Sequence, residues 1–157
     1  MATFTDDSGD NLEVGGEDDD LFNMGQGGDD TVQAGGGDDV INFTSSAFTA
    51  ADRVDGGAGL DVLEIGGIYN APIVFQPDTM VGIETLLLAG LGYNLILDDN
   101  NVAPGEELLV LLYSSGTRVD GGAETDGGFD FQLQSGVDQV SLIGGAGDEL
   151  FFASDRR

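Results

Sequence analysis

Gly56-Gly57-Ala58-Gly59-Leu60-Asp61-Val62-Leu63-Glu64 is the stretch on which the reading of this chain turns. It fits the nonapeptide G-G-x-G-x-D-x-U-x, with U apolar, at every fixed position. Asp52-Arg53-Val54 stands nine residues upstream of Asp61-Val62-Leu63. Further upstream lie Gly9-Asp10-Asn11-Leu12, Asp19-Asp20-Leu21-Phe22, Gly28-Asp29-Asp30-Thr31-Val32 and Gly37-Asp38-Asp39-Val40-Ile41. In each, an Asp precedes an apolar residue by two places, and the unit returns every nine or ten residues.

The physical sense of such a unit is a turn followed by a short strand. Glycines permit positive φ and leave backbone carbonyls exposed. The Asp supplies a carboxylate, and a residue such as Ile41 points inward. Two units make one coil of a flattened helix, so units two apart stack about 4.8 Å apart. On that geometry Asp20 lies over Asp39 and Asp10 over Asp30, and Asp61 and Asp52 extend the two rows if the loop inserted between coils preserves the stacking. Bare carboxylates at about 4.8 Å repel by roughly 3 kcal/mol per pair at an effective dielectric near 20. A hard dication between turns reverses that sign. Calcium accepts six to eight oxygens in loose geometry, whereas magnesium demands a strict octahedron. Zinc prefers His and Cys, and the chain has neither. The alternative is an acidic, turn-rich solenoid without metal. An EF-hand is a weaker rival: Asp6, Ser8, Asp10 and Glu17 imitate its ligand spacing, but Asn11 stands where its glycine belongs and no flanking helix is visible.

Composition agrees with a cation-neutralised fold. Thirty acidic residues face four arginines, for a formal net charge of −26. Such a polyanion is repelled by nucleic acid and by anionic membranes, so no nucleic-acid partner and no membrane insertion are expected. Acidity alone suggests disorder, but 40% of residues are hydrophobic and the acids keep fixed places relative to glycine. A salt-adapted surface explains the charge and not the spacing. With no cysteine, no disulfide staples the chain. The start, Met1 to Asp7, has neither a basic n-region nor an apolar h-region, so no N-terminal secretion signal is expected. The apolar runs near Leu86–Leu91 and Leu108–Tyr113 are too short to span a bilayer.

Three segments are expected: a repeat-rich β-roll at 1–65, a more apolar β-rich extension at 66–118, and degenerate Gly/Asp coils at 119–157. Glycine, 27 residues of the chain, disfavours helix interiors by about 1 kcal/mol each, and no helix is expected. Ala71–Phe75, Asn94–Leu97 and Glu107–Leu112 read as strands bounded by turn residues. Phe43–Ala51 interrupts the repeat and reads as a loop inserted between coils.

These units resemble the RTX, or hemolysin-type calcium-binding repeat, family of secreted bacterial proteins. The likeness is closest at Gly56–Glu64 and extends from about Gly9 to Asn42. It implies an all-β, right-handed parallel β-roll with calcium between turns. The metal ligands it implies are Asp10, Asp20, Asp30, Asp39, Asp52 and Asp61, with turn carbonyls at Gly25, Gly27, Gly35, Gly37, Gly57 and Gly59. The middle segment, with Val81-Gly82-Ile83-Glu84-Thr85-Leu86, is similar to stretches between repeat blocks in large RTX adhesin-like proteins. The chain departs from the pattern at Glu17, where a glycine is expected, and at Glu149, whose extra methylene displaces its oxygens. Asp138 is the better C-terminal candidate. The family leaves the cell by type I secretion, which implies an extracellular location without a cleaved leader, although Phe151–Arg157 does not look like a typical secretion end. A structural part of a virus particle is the alternative.

Catalysis has little support. The absence of His, Cys and Lys removes most general bases and activated nucleophiles. Ser45-Ser46 and Ser114-Ser115 read as turn residues, and a glycosidase carboxylate pair is less apt than calcium for acids held in a repeat. Phe22, Phe43, Phe48, Phe75, Phe129 and Phe131 read as core rather than as a sugar groove. Arg53 and Arg118 read as surface ion pairs rather than as anion binders. The open ends of a solenoid expose strand edges, and Ile68–Val74 and Leu86–Leu91 are candidates to cap them or to associate. That leaves room for a homo-oligomer or a larger surface or virion assembly. The function expected is structural or adhesive, with calcium as the folding switch; a noncatalytic calcium module of a secreted enzyme is a further alternative.

Overall fold

The computed structural model describes residues 1–153; residues 154–157, and with them most of the reading of the chain's end, lie outside the described residues. Sixteen strands follow in order. The first seven are β1 (Thr3–Thr5), β2 (Leu12–Val14), β3 (Leu21–Met24), β4 (Thr31–Gly36), β5 (Val40–Phe43), β6 (Arg53–Ala58) and β7 (Val62–Ile65). After them come β8 (Ile73–Val74), β9 (Met80–Val81), β10 (Thr85–Leu88), β11 (Asn94–Ile96), β12 (Glu107–Leu112), β13 (Arg118–Asp120), β14 (Gly128–Leu133), β15 (Ser141–Ile143) and β16 (Glu149–Ala153). Asp99–Asn101 is a single 3-10 turn. Among the described residues no helix is long and apolar enough to cross a membrane.

Strands on one side of each coil, β1, β3, β5, β7, β10, β12, β14 and β16, form a continuous eight-stranded sheet. The other side is divided between two four-stranded sheets, β2-β4-β6-β9 and β8-β11-β13-β15. Every pairing is parallel, and the chain makes a right-handed β-solenoid of about seven turns. Parallel pairing stacks like positions in rows. One inward row runs Phe4, Phe22, Ile41, Leu63, Leu86, Val110, Phe131 and Phe151. Alternate strand residues point inward, so the core is a column of these rows, and all six phenylalanines read as core are buried.

The loop read at Phe43–Ala51 is present, with Phe43 closing β5 and the inserted turn running over residues 44–52. Ser45 and Ser46 take positive φ there. Its Phe48 turns into the core against Phe43 and Phe75. The coil widens at this point. Stacked positions are 19 residues apart between Asp20 and Asp39, but 22 between Asp39 and Asp61 and 23 between Asp61 and Glu84. The next coil touches both small sheets, through β8 and β9.

Leu86–Leu91 is not a cap. Leu86 and Leu88 are buried mid-solenoid, while Ile68 and Leu91 face outward and bridge one another across neighbouring coils. The exposed apolar residues at the ends are instead Leu12 and Val14 at one, and Leu150, Phe151 and Phe152 at the other.

Candidate metal centre

Two columns of turns join the sheets, and each carries acids on its inner side. In the first, the register places Ala2, Asp20, Asp39, Asp61 and Glu84 in one row. Each carboxylate accepts the main-chain N–H of the residue stacked before it. The Ala2 N–H donates to Asp20. The Asp20 N–H donates to Asp39 Oδ1 at 2.6 Å, Asp39 N–H to Asp61 Oδ1 at 2.8 Å, and Asp61 N–H to Glu84 Oε2 at 2.8 Å. The row then continues as Leu108, Phe129 and Glu149. The polar ladder therefore ends where leucine and phenylalanine take the same inward place.

The second column holds Asn11, Asp30 and Asp52. Asn11 N–H donates to Asp30 Oδ1 at 2.9 Å, and Asp30 N–H to Asp52 Oδ1 at 2.7 Å. Thr49 N–H closes the other oxygen of Asp52 at 2.6 Å. The expected stacking of Asp10 over Asp30 is corrected here. The first turn counts six residues from Asp6 to Asn11, as the next does from Gly25 to Asp30, so Asn11 takes the sixth place. Asp10 lies outside, exposed, and accepts the Asp29 N–H at 3.0 Å. Asp19 and Asp38 form a similar outer pair at 2.9 Å.

The inner carboxylates are not fully satisfied. Asp39 Oδ2 and Asp61 Oδ2 are buried and meet no hydrogen-bond donor, and the same holds for Oδ1 of Asp6. Asp6 Oδ2 takes the Gln26 N–H at 2.8 Å. Burial pushes the Asp61 carboxyl up to about 6, with the charges of Asp39, Glu84 and Asp38 adding to it and the Asp39 amide opposing. Burial likewise raises Asp30, Asp39 and Asp52. Asp20 is held low, chiefly by the Ala2 amide. Orphaned buried carboxylate oxygens beside glycine turns are a donor set suited to a hard cation.

The glycines fit close stacking. Gly57 has φ +93°, and a Cβ there would lie 2.0 Å from the Gly35 carbonyl oxygen. Gly37 and Gly59 are stacked in the same way, so Gly35, Gly37, Gly57 and Gly59 share the turn column of Asp20, Asp39 and Asp61. Gly25 and Gly27 belong to the turn that leads to Asp30. Asp138 stands apart from both columns, exposed, where its N–H meets Ser115 Oγ at 3.0 Å. Arg53 pairs with Asp78 at 2.7 Å and Arg118 with Asp120 at 2.6 Å, as surface ion pairs.

Sequence reasoning missed Asn11 and Glu84 as ladder members, and it weighed Asp6, whose buried carboxylate opens the first turn, only as an EF-hand mimic. Glu84 carried the right signal, an acid two places before the apolar Leu86. It also missed Asp99, Glu124 and Asp126, which among the described residues are the one group of three acids that close on a common point.

These features define a parallel β-solenoid with an inward acidic ladder along its first half. No family model, no curated protein and no solved structure matches the chain.

Proposed function

We propose that this protein is a calcium-stabilised structural β-roll of RTX type, in which cations between turns complete the coordination of the inner aspartates. The observation that carries this reading is the pair of buried, donorless oxygens, Asp39 Oδ2 and Asp61 Oδ2, in one turn column. A bound cation supplies positive charge that the protein itself does not place there. Asp39 and Asp61 each hold one carboxylate oxygen on a main-chain N–H and keep the other buried and free to meet a cation, whereas both oxygens of Asp20 and of Asp52 already accept main-chain N–H groups. The glycines let the turns stack closely enough for two coils to share an ion.

Binding of this kind adds to folding free energy. At calcium one hundred times a site's dissociation constant, each site contributes about 2.7 kcal/mol. The chain is then pliable at low intracellular calcium and rigid at millimolar extracellular calcium, which suits a secreted surface or adhesive module. A component of a virion or other assembly is the second reading. It is favoured by the exposed Leu150, Phe151 and Phe152 on the terminal strand of the large sheet.

The deciding experiment is a calcium titration of chelator-treated protein, followed by circular dichroism and melting temperature, with magnesium as control. A cooperative gain with calcium alone supports the reading. A protein fully folded in chelator and unmoved by calcium overturns it.

A further inference from the structure

A second acidic site lies away from the ladder, in the apolar half of the solenoid. Asp99, Glu124 and Asp126 each place a carboxylate oxygen within 4.8 Å of the other two. Two rigid pieces bring them together. The 3-10 turn is fixed by Asp98, whose carboxylate accepts the Asn100 N–H at 3.0 Å while Asn101 Oδ1 accepts the Asp98 N–H at 2.8 Å. The buried Asn101 amide also donates to the carbonyls of Gln76 and Met80, at 3.0 and 3.1 Å. The other piece is the turn before β14. There Glu124 Oε1 accepts the N–H groups of Thr125, Asp126 and Gly127 at 3.1, 3.1 and 2.7 Å.

Glu124 carries the argument. Its side chain is 2% exposed, and its Oε2 is buried without a donor. Oε1 is held by its own turn, which leaves Oε2 as the acceptor with no partner. Asp99 Oδ1 ties the two pieces together through the Thr125 N–H and hydroxyl, at 2.7 and 2.8 Å. No arginine among the described residues neutralises the group, since Arg53 and Arg118 pair elsewhere. Asp126 is exposed and borders an open groove with Glu106, Glu107 and Asp148, so one of the three acids meets solvent directly.

We propose that Asp99, Glu124 and Asp126 form a separate site for a hard divalent cation of calcium type, which clasps the turn before β14 to the 3-10 turn of the preceding coil. An all-oxygen, anionic donor set with no nitrogen or sulfur selects calcium over zinc. The site uses no repeat glycine and no ladder aspartate, so it stands or falls apart from the β-roll reading.

The test is equilibrium dialysis of the full chain against calcium, from about 0.1 to about 10 mM, which brackets the roughly 0.1–1 mM dissociation constants of extracellular calcium modules. Wild type is compared with the Asp99→Asn/Asp126→Asn double variant, with Asp126→Asn alone, and with Asp39→Asn/Asp61→Asn. The acid-to-amide changes keep shape, and the amide oxygen at position 99 still accepts from Thr125. The double variant is expected to bind one ion fewer than wild type, and Asp126→Asn to weaken that ion at least about tenfold. The amides of Thr125, Asp126 and Gly127 shift between the loaded wild type and either variant. Loss of ions in the ladder variant with this one retained, or no loss there at all, leaves the proposal standing. Equal calcium uptake by wild type and the Asp99/Asp126 double variant overturns it, as does a wild type that takes up no calcium at about 10 mM.

Discussion

Asp39 donates its main-chain N–H to Oδ1 of Asp61, 22 residues further on, at 2.8 Å. The bond runs from one coil to the next, and it leaves Asp61 Oδ2 buried with no donor. A buried carboxylate half satisfied by an amide keeps its charge at a cost unless a cation offsets it, and otherwise it holds a proton more readily. On the proposed calcium reading, the sign of the effect of removing that charge depends on calcium. In calcium, Asp61→Asn is expected to lower stability by about 1–3 kcal/mol, because a charged ligand is lost. In chelator the same change is expected to be neutral or stabilising, because the substituted side chain keeps an acceptor for the Asp39 amide without the charge. Asp38→Asn, on the exposed outer row, should stay within about 0.5 kcal/mol in both conditions. Melting curves of the three proteins with and without calcium check this. Equal loss for Asp61→Asn in both conditions refutes the calcium role.

The pH response of the metal-free protein follows from the raised carboxyls. The folded pKa of Asp61 is about 6, above the ordinary aspartate value of 3.8. A carboxyl raised on folding binds its proton more tightly in the folded state, so its contribution is fully present below the unfolded pKa and is lost as pH rises through the folded one. Asp30, Asp39 and Asp52 shift the same way. Asp20 and Asp120 are lowered and oppose them. In chelator the melting temperature is expected to rise as pH falls from about 7 to about 5, and Asp61→Asn should flatten that slope. With calcium present the trend is expected to reverse, because protons would compete with calcium for the carboxylates. A melting series across that pH range in chelator decides it: a flat or opposite slope for the wild type contradicts the expectation.

Close stacking makes one glycine far less replaceable than another. Gly57 and Gly105 both take positive φ, +93° and +78°. A Cβ at Gly57 meets the Gly35 carbonyl at 2.0 Å, whereas at Gly105 nothing lies within 4 Å. Gly105→Ala is expected to cost about 1 kcal/mol from backbone strain alone. Gly57→Ala adds a coil-to-coil clash and is expected to cost at least about 3 kcal/mol. Denaturant unfolding in calcium measures the difference. Equal costs would show that the turns do not stack as described.

Glu84 closes the ladder by accepting the Asp61 N–H at 2.8 Å. Glu84→Gln keeps that acceptor and should be mild. Glu84→Ala leaves an amide without its partner and should cost about 1–3 kcal/mol. Hydrogen exchange at the Asp61 amide reports the same bond: protection is expected to fall in the Ala variant and to persist in the Gln variant.

The all-β coil was legible in the spacing of Asp and apolar residues. Asp20 over Asp39 follows from counting, and Asp61 and Asp52 extend the two rows because the inserted loop lengthens the coil from 19 to 22 residues without breaking the stacking. The inserted loop and the three strands read in the apolar segments were legible for the same local reasons. Counting failed at the first turn. Asp10 stands two places before the apolar Leu12, but Leu12 is exposed and Glu13 takes the inward place opposite Val32, so the pairing of Leu12 with Thr31 puts Asn11, not Asp10, over Asp30. Glu84 was overlooked because its turn lacks the glycine pattern, although it holds the same row.

What the sequence by itself determined is the periodic part: turn, short strand, inward apolar residue, acid at the turn. Those are consequences of local backbone preference and of a repeat that stacks on itself. The tertiary structure decided what has no period. It set which oxygen of each aspartate an amide would satisfy, since that depends on the neighbouring coil. It ended the ladder at Leu108, where the same row becomes apolar. It also brought Asp99 to Glu124 and Asp126, a meeting that rests on how the 3-10 turn stacks against the following coil and that no spacing of residues along the chain announces.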